Sequence, residues 1–146
     1  LFKIIIFIFL SGCGYTPLYS SFNNEKENIQ ILNSVGDNKI NSKIISKLRI
    51  HNNADKDLIK ISLNTVYRKK DLQKNSSGEV EEYELEAITT YDVVTIDSEK
   101  KIIIEESFIM KNFNDDFDEK NYEDRIKISI ANLNYQKLML QLNKMK

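Results

Sequence analysis

Three stretches of the chain alternate apolar and polar residues with a period of two, and this pattern restricts the fold more than any other feature. In residues 58–68, Ile59, Ile61, Leu63, Thr65 and Tyr67 fall on one side, with Lys60, Ser62, Asn64 and Arg68 on the other. In residues 83–96, Tyr83, Leu85, Ala87, Thr89, Tyr91 and Val93 oppose a polar set that includes Glu82, Glu84, Glu86 and Asp92. In residues 101–113, Ile102, Ile104, Phe108 and Met110 share a side, on which Glu106 is out of place. Side chains of a strand point alternately to opposite faces, so each stretch is a strand with one dry and one wet face. Strands of that kind build an antiparallel sheet covered on one side only. Residues 97–100 suit a tight hairpin turn, whereas residues 69–80 read as a long polar connection. Such a sheet needs a cover, and the rest of the chain has to supply it.

Two helical segments qualify. Residues 28–35 form a short strand with Ile29 and Ile31 on one face, and Gly36 breaks it. Asp37 then offers an N-cap to a helix over residues 39–50, whose Ile40, Ile44, Ile45 and Leu48 recur at helical spacing. His51 falls at the C-terminal end of that helix, where a partly charged imidazole suits the helix dipole. The acidic residues of 114–118 lack the spacing and the glycine of a calcium loop, so they read as the cap of a second helix. That helix runs over residues 122–144 without a breaker, a length of about 35 Å at ~1.5 Å per residue. One apolar stripe holds Ile128, Ala131, Tyr135, Leu138, Leu142 and Met145; a second holds Ile126, Ile130, Leu133 and Leu140. A helix that is apolar on two sides is buried on two sides. The first stripe can cover the sheet, and the second, Ile126, Ile130, Leu133 and Leu140, is a candidate contact for the first helix or for another protein. The order is β-α-β-β-β-α, an α+β fold in which two helices cover a mostly antiparallel four-stranded sheet as a two-layer sandwich.

Composition narrows the function. The 146 residues carry 21 Lys+Arg against 22 Asp+Glu, so the chain lacks the basic excess that marks a nucleic-acid binder. One Cys and one His cannot make a disulfide or an ordinary structural zinc site, and the four glycines are too scattered for a phosphate-cradling loop. Glu82, Glu84 and Glu86 share a strand face, but an alternating acidic row is the ordinary wet side of a sheet. No catalytic set, metal site or cofactor is expected, and the chain reads as a non-enzyme.

The first residues carry the sharpest motif. Lys3 precedes the apolar run of residues 4–10, which is far shorter than the roughly 18–20 residues that span a bilayer. It fits the apolar core of a short secretory signal followed by small residues at a cleavage site. Leu10, Ser11, Gly12 and Cys13 match a bacterial lipobox, in which Cys13 becomes the acylated N-terminus. More than one acyl chain gives stable attachment, at about 0.8 kcal/mol per buried CH₂. Residues 1–12 are then a cleaved signal, residues 13–27 a lipidated tether and residues 28–146 the folded domain. Gly14 rather than Asp follows the Cys, so delivery to the outer membrane is expected.

The run Cys13-Gly14-Tyr15-Thr16-Pro17-Leu18-Tyr19 resembles the start of the lipopolysaccharide-assembly lipoprotein family (LptE), particularly its alphaproteobacterial branch. Tyr83-Glu84-Leu85 through Tyr91-Asp92-Val93, and Glu123-Asp124-Arg125 in the last helix, echo the same family at the level of pattern. The resemblance implies a two-helix, four-strand sandwich lodged in a large outer-membrane β-barrel (LptD) that inserts lipopolysaccharide into the outer leaflet. The lipoprotein would act as plug and assembly partner, contact lipopolysaccharide directly, and catalyse nothing. Lipopolysaccharide carries phosphates, so the candidate contacts are the basic residues Arg68, Lys69, Lys70 and Lys74 around the long connection and Lys100 and Lys101 at the next turn. The competing reading is a lipoprotein that carries a small ligand or lipid, or that adapts another envelope complex.

Overall fold

A computed structural model describes residues 27–50 and 53–145 of the chain. Cys13, the motif Leu10-Ser11-Gly12 and His51 lie outside the described residues. The elements run β1 (Asn28–Gly36), α1 (Asn38–Ile50), β2 (Leu58–Lys74), β3 (Val80–Val94), β4 (Glu99–Lys111) and α2 (Asp116–Asn143). The four strands form one sheet in sequence order, with β1 parallel to β2 and the other two pairs antiparallel. The α+β order and the mostly antiparallel four-stranded sheet expected from the sequence are both found.

The dry face is the one read from the sequence. Ile59, Ile61, Leu63 and Thr65 of β2, Leu85, Ala87, Thr89, Tyr91 and Val93 of β3, and Ile102, Ile104 and Met110 of β4 are all buried. Both helices cover this face, α1 with Ile40, Ile44 and Leu48, α2 with Ile126, Ile130, Ala131, Leu138 and Leu142. The polar groups that the layers bury are matched to one another. The Asn41 amide donates to the Val35 carbonyl at 2.8 Å, and the Thr65 hydroxyl donates to Asn41 Oδ1 at 2.6 Å and meets the Thr89 hydroxyl at 3.0 Å. Asn134 donates to the Ile130 carbonyl, and the Tyr91 hydroxyl points to its Oδ1 at 3.4 Å. A buried polar group left without a partner costs most of its desolvation, so these pairings are a condition for the fold.

The link between β1 and α1 depends on close approach. Gly36 has φ +97°, and a Cβ there would lie 1.9 Å from the Thr65 carbonyl oxygen. Only glycine tolerates both the backbone conformation and the contact. The next residue, Asp37, donates its backbone N–H to that same carbonyl at 3.0 Å and caps α1 by accepting from the Ile40 N–H at 2.9 Å. Asp115 caps α2 in the same way, accepting from Phe117 and Asp118.

Three boundaries differ from the sequence reading. The segment 69–80 is not a long connection: β2 and β3 continue as a ribbon, with β4 paired to β3 as far as Glu82, and only residues 75–79 turn the chain. Beyond Tyr67 and Tyr83 the ribbon is largely exposed, and its register shifts around Asp71–Lys74, so the apolar alternation that announces a strand is lost while the ladder persists. Helix α2 begins at Asp116 rather than near Tyr122, because the cap is Asp115 and the acids that follow occupy the first turn, where they favour the dipole. Glu27, assigned above to the tether, is buried, and its carbonyl accepts from the Asn53 N–H at 2.9 Å.

Candidate functional site: the basic ribbon and the flank of the long helix

Strand register decides what the six basic candidates can do. Arg68 pairs across the ladder with Glu86, which pairs with Ser107, on the open face of the sheet. Lys70 pairs with Glu84 on the same face. The lysine ammonium lies 2.7 Å from Glu86 Oε2 and 3.9 Å from Glu84 Oε2, and the Arg68 guanidinium is 3.8 Å from Glu86. The hydrogen bond from Lys70 holds the Glu86 carboxyl below the usual carboxylate range. Nearer the tip, Lys74 pairs with Asp71 at 3.0 Å. Arg68 and Lys70 are about half exposed on an acid-lined surface, so an incoming phosphate would compete with Glu84 and Glu86 for them, whereas Lys74 is held by Asp71.

Lys69 is not part of that surface. It points to the helix side, where it pairs with Glu119 and with Glu123 of α2 and lies 4.2 Å from the centre of the Tyr83 ring. Burial opposes its charge, but the two carboxylates outweigh this and raise its pKa. Lys69 is thus engaged with α2 and stands apart from the open face that carries Arg68 and Lys70. Lys100 and Lys101 are not part of the surface either. Lys101 pairs with Asp92, which pairs with Ser62, six rungs down the ladder from the row of Arg68, Glu86 and Ser107. At ~3.3 Å per residue that is roughly 20 Å. The two turns stand at opposite ends of the sheet, and the basic candidates form two groups.

A polar clamp that the sequence reading did not single out surrounds Lys69. Lys127 Nζ lies 3.0 Å from Asp37 Oδ2, 3.4 Å from Glu123 Oε1 and 4.0 Å from the centre of the Tyr67 ring. The Tyr67 hydroxyl donates to Glu123 at 2.9 Å. Desolvation, reinforced by the bond to Glu123, pushes the Tyr67 pKa well above its ordinary value. The clamp ties α2 to β2 and to the first turn of α1. The i,i+4 pair Glu123–Lys127 was its one sequence signal, and it reads equally well as a solvated helix face.

Of the two contacts expected for the second stripe of α2, the first helix or another protein, the molecule itself takes part of the stripe. Ile126 and Ile130 are buried, at 8% and 0% exposure, within the molecule's own core. The two stripes merge because α2 rests on the sheet and on α1 together, so a broad face is covered and Ile128 is left 40% exposed. Leu133 and Leu140 remain half-buried. Leu140 lines a groove with Ile103, Ile104, Glu105 and Lys137 at the outer edge of β4. Lys137 reaches the inward-turned Glu106 at 2.6 Å, which explains how the sheet tolerates that residue on its dry face. Among the described residues no group of His, Cys, Asp and Glu could hold a metal ion, and no helix is long and apolar enough to cross a membrane.

The layered α+β fold is one that solved bacterial lipoproteins share. Rare lipoprotein B from Shewanella oneidensis superposes with a TM-score of 0.58 at 15% identity, covering 80% of this chain and 98% of that one. Lipoprotein B from Nitrosomonas europaea gives 0.55 at 16% identity over 81% and 86% of the two chains. A lipoprotein from Caulobacter crescentus gives 0.53 at 12% identity over 81% and 92%. At these identities the likeness is one of fold. No protein-family model matches the sequence, and no curated protein sequence matches it.

Proposed function

We propose that this chain is an outer-membrane lipoprotein of the LptE kind, anchored through Cys13, that seats in and helps assemble a large β-barrel (LptD) inserting lipopolysaccharide into the outer leaflet. The observation that carries the reading is agreement between two independent features. The motif Cys13–Tyr19 resembles that family, and the two-helix, four-strand sandwich implied by the resemblance is the fold of the chain and of rare lipoprotein B. A small sandwich with one open, charged sheet face suits a hydrated lumen, because its outer surface needs no lipid contact. The role is structural and binding, not catalytic.

Purification of the tagged full chain from detergent-solubilised outer membranes tests the reading. A large β-barrel recovered in stoichiometric amount is the expected result; recovery of the chain alone, or with a different complex, overturns it. The lipopolysaccharide contact belongs to the open-face group, so the double change Arg68→Glu and Lys70→Glu is the informative variant. It should weaken lipopolysaccharide binding while the circular dichroism spectrum stays unchanged, and undiminished binding would remove that part of the proposal. Lys69→Glu is a poor substitute, since it breaks the clamp on α2.

A further inference from the structure

Strand β4 ends the sheet, and its outer side pairs with nothing among the described residues. A free edge invites another strand, and proteins blunt such edges with charges, including charges turned inward. The residues of β4 do this in an ordered way. From Glu99 they read Glu-Lys-Lys-Ile-Ile-Ile-Glu-Glu-Ser, basic before the isoleucines and acidic after them. Turned end for end about Ile103, the segment is its own charge complement.

We propose that two copies of this chain pair antiparallel through β4, with Ile103 on the two-fold axis and residues 99–107 of each copy in the ladder, so that two four-stranded sheets become one of eight. In this register Lys101 opposes Glu105 on the open face and Ile102 opposes Ile104 on the helix side, where Lys100 meets Glu106, already paired with Lys137 of its own chain. Symmetry supplies each pair twice. Residues directly opposite in an antiparallel pair share a face, so open-face residues meet only one another. Neighbouring registers lose the match: centring on Ile102 sets Glu99 against Glu105, centring on Ile104 sets Ile102 against Glu106, and centring on Glu105 opposes that carboxylate to itself. The charges that turn away an unrelated strand therefore select the chain's own.

Two features of the flank agree. Ile103 is 62% exposed and would gain its own copy as a cross-strand neighbour. The helix layer also tiles, because two strands at ~4.8 Å span about the 8–10 Å that separates packed helices. Two helices over four strands thus continue as four over eight. The side of α2 next to this edge carries Lys137, Leu140 and Lys144, while Tyr135, beside Lys47, faces α1. The pairing does not depend on the barrel reading, and the purified chain alone suffices to examine it.

Sedimentation equilibrium of the full chain in detergent should show a dimer that forms with rising concentration. Glu105→Lys and Lys101→Glu should each weaken it by about tenfold, since each puts like charges opposite one another twice. The double variant should recover the original affinity, and an equimolar mixture of the two single variants should form a heterodimer. Matching circular dichroism spectra keep these comparisons independent of folding. A chain monomeric at every concentration overturns the proposal. So does a dimer indifferent to either substitution, which points to association through the lipid, and so does protection of the β4 amides from hydrogen exchange only when another protein is added.

Discussion

The two faces of the sheet are made from the same strands and obey opposite rules. On the covered face, side chains such as Tyr91, Leu85 and Met110 are wholly buried, and each polar intruder has a matched neighbour, as with Asn41, Thr65 and Thr89. On the open face, Val66 and Ile103 stand 42% and 62% exposed on the side that carries Arg68, Lys70, Glu84 and Glu86. Packing and desolvation hold the first face together. The second rests on exposed ion pairs, whose net worth is about 0–1 kcal/mol each because water screens them. The face that makes the fold is thus distinct from the face free to meet another molecule.

Substitutions at matched positions can break this contrast. Leu138→Ala empties a fully buried site under the sheet and should cost about 3 kcal/mol in urea unfolding. Gly36→Ala should cost about 2 kcal/mol, because the new methyl meets the Thr65 carbonyl in a backbone conformation that alanine avoids. Asn41→Ala should cost about 1.5 kcal/mol by removing the amide that serves the Val35 carbonyl and leaving the Thr65 hydroxyl only its Thr89 neighbour. Val66→Ala on the open face should change stability by less than ~0.5 kcal/mol. A large loss at Val66 would mean that the open face also carries the fold.

Titration sharpens the same division. Tyr67 has a folded pKa above its unfolded value of 10.0, so its contribution is complete below that pH and is lost as pH rises beyond it. The raised pKa of Lys69 acts in the same direction. Melting temperature should therefore fall on the alkaline side, and less steeply in Tyr67→Phe, which keeps the ring against Lys127 but has no hydroxyl to ionise. Glu86 behaves oppositely. Its depressed pKa adds stability above its unfolded value, and that stability is lost as pH falls through the folded one. Glu86→Gln should flatten the acid limb and leave the alkaline limb unchanged.

The covered face was legible in the sequence because burial writes a period of two into a strand. Ile59, Ile61, Leu63 and Leu85, Ala87, Tyr91 announce their strands without any knowledge of partners. The end of β2 beyond Tyr67 was not legible, since its exposed residues carry no apolar rhythm, although Tyr83 and Leu85 mark the strand it pairs with. The stripes of α2 were visible, but their merger was not, because it depends on α1 lying beside α2. The ionic arrangement was hidden for a further reason. Lys69, Lys70 and Arg68 are neighbours in sequence, yet one turns to Glu119 and two to Glu86, and only register and facing decide which.

The parallel pairing of β1 with β2 sets a fixed reach. Asn28 lies level with Leu58, so the upstream chain joins the sheet at the end where β2 begins, and β2 then runs to Lys74 without leaving the ladder. At ~3.3 Å per residue this carries the ribbon tip roughly 50 Å from the point of attachment. The distance is measured out by hydrogen bonds rather than by a slack loop. Removing two residues from each strand of the ribbon would draw its tip back by about 7 Å while each charge kept its face. The ribbon is in this sense a ruler, graduated in steps of two residues.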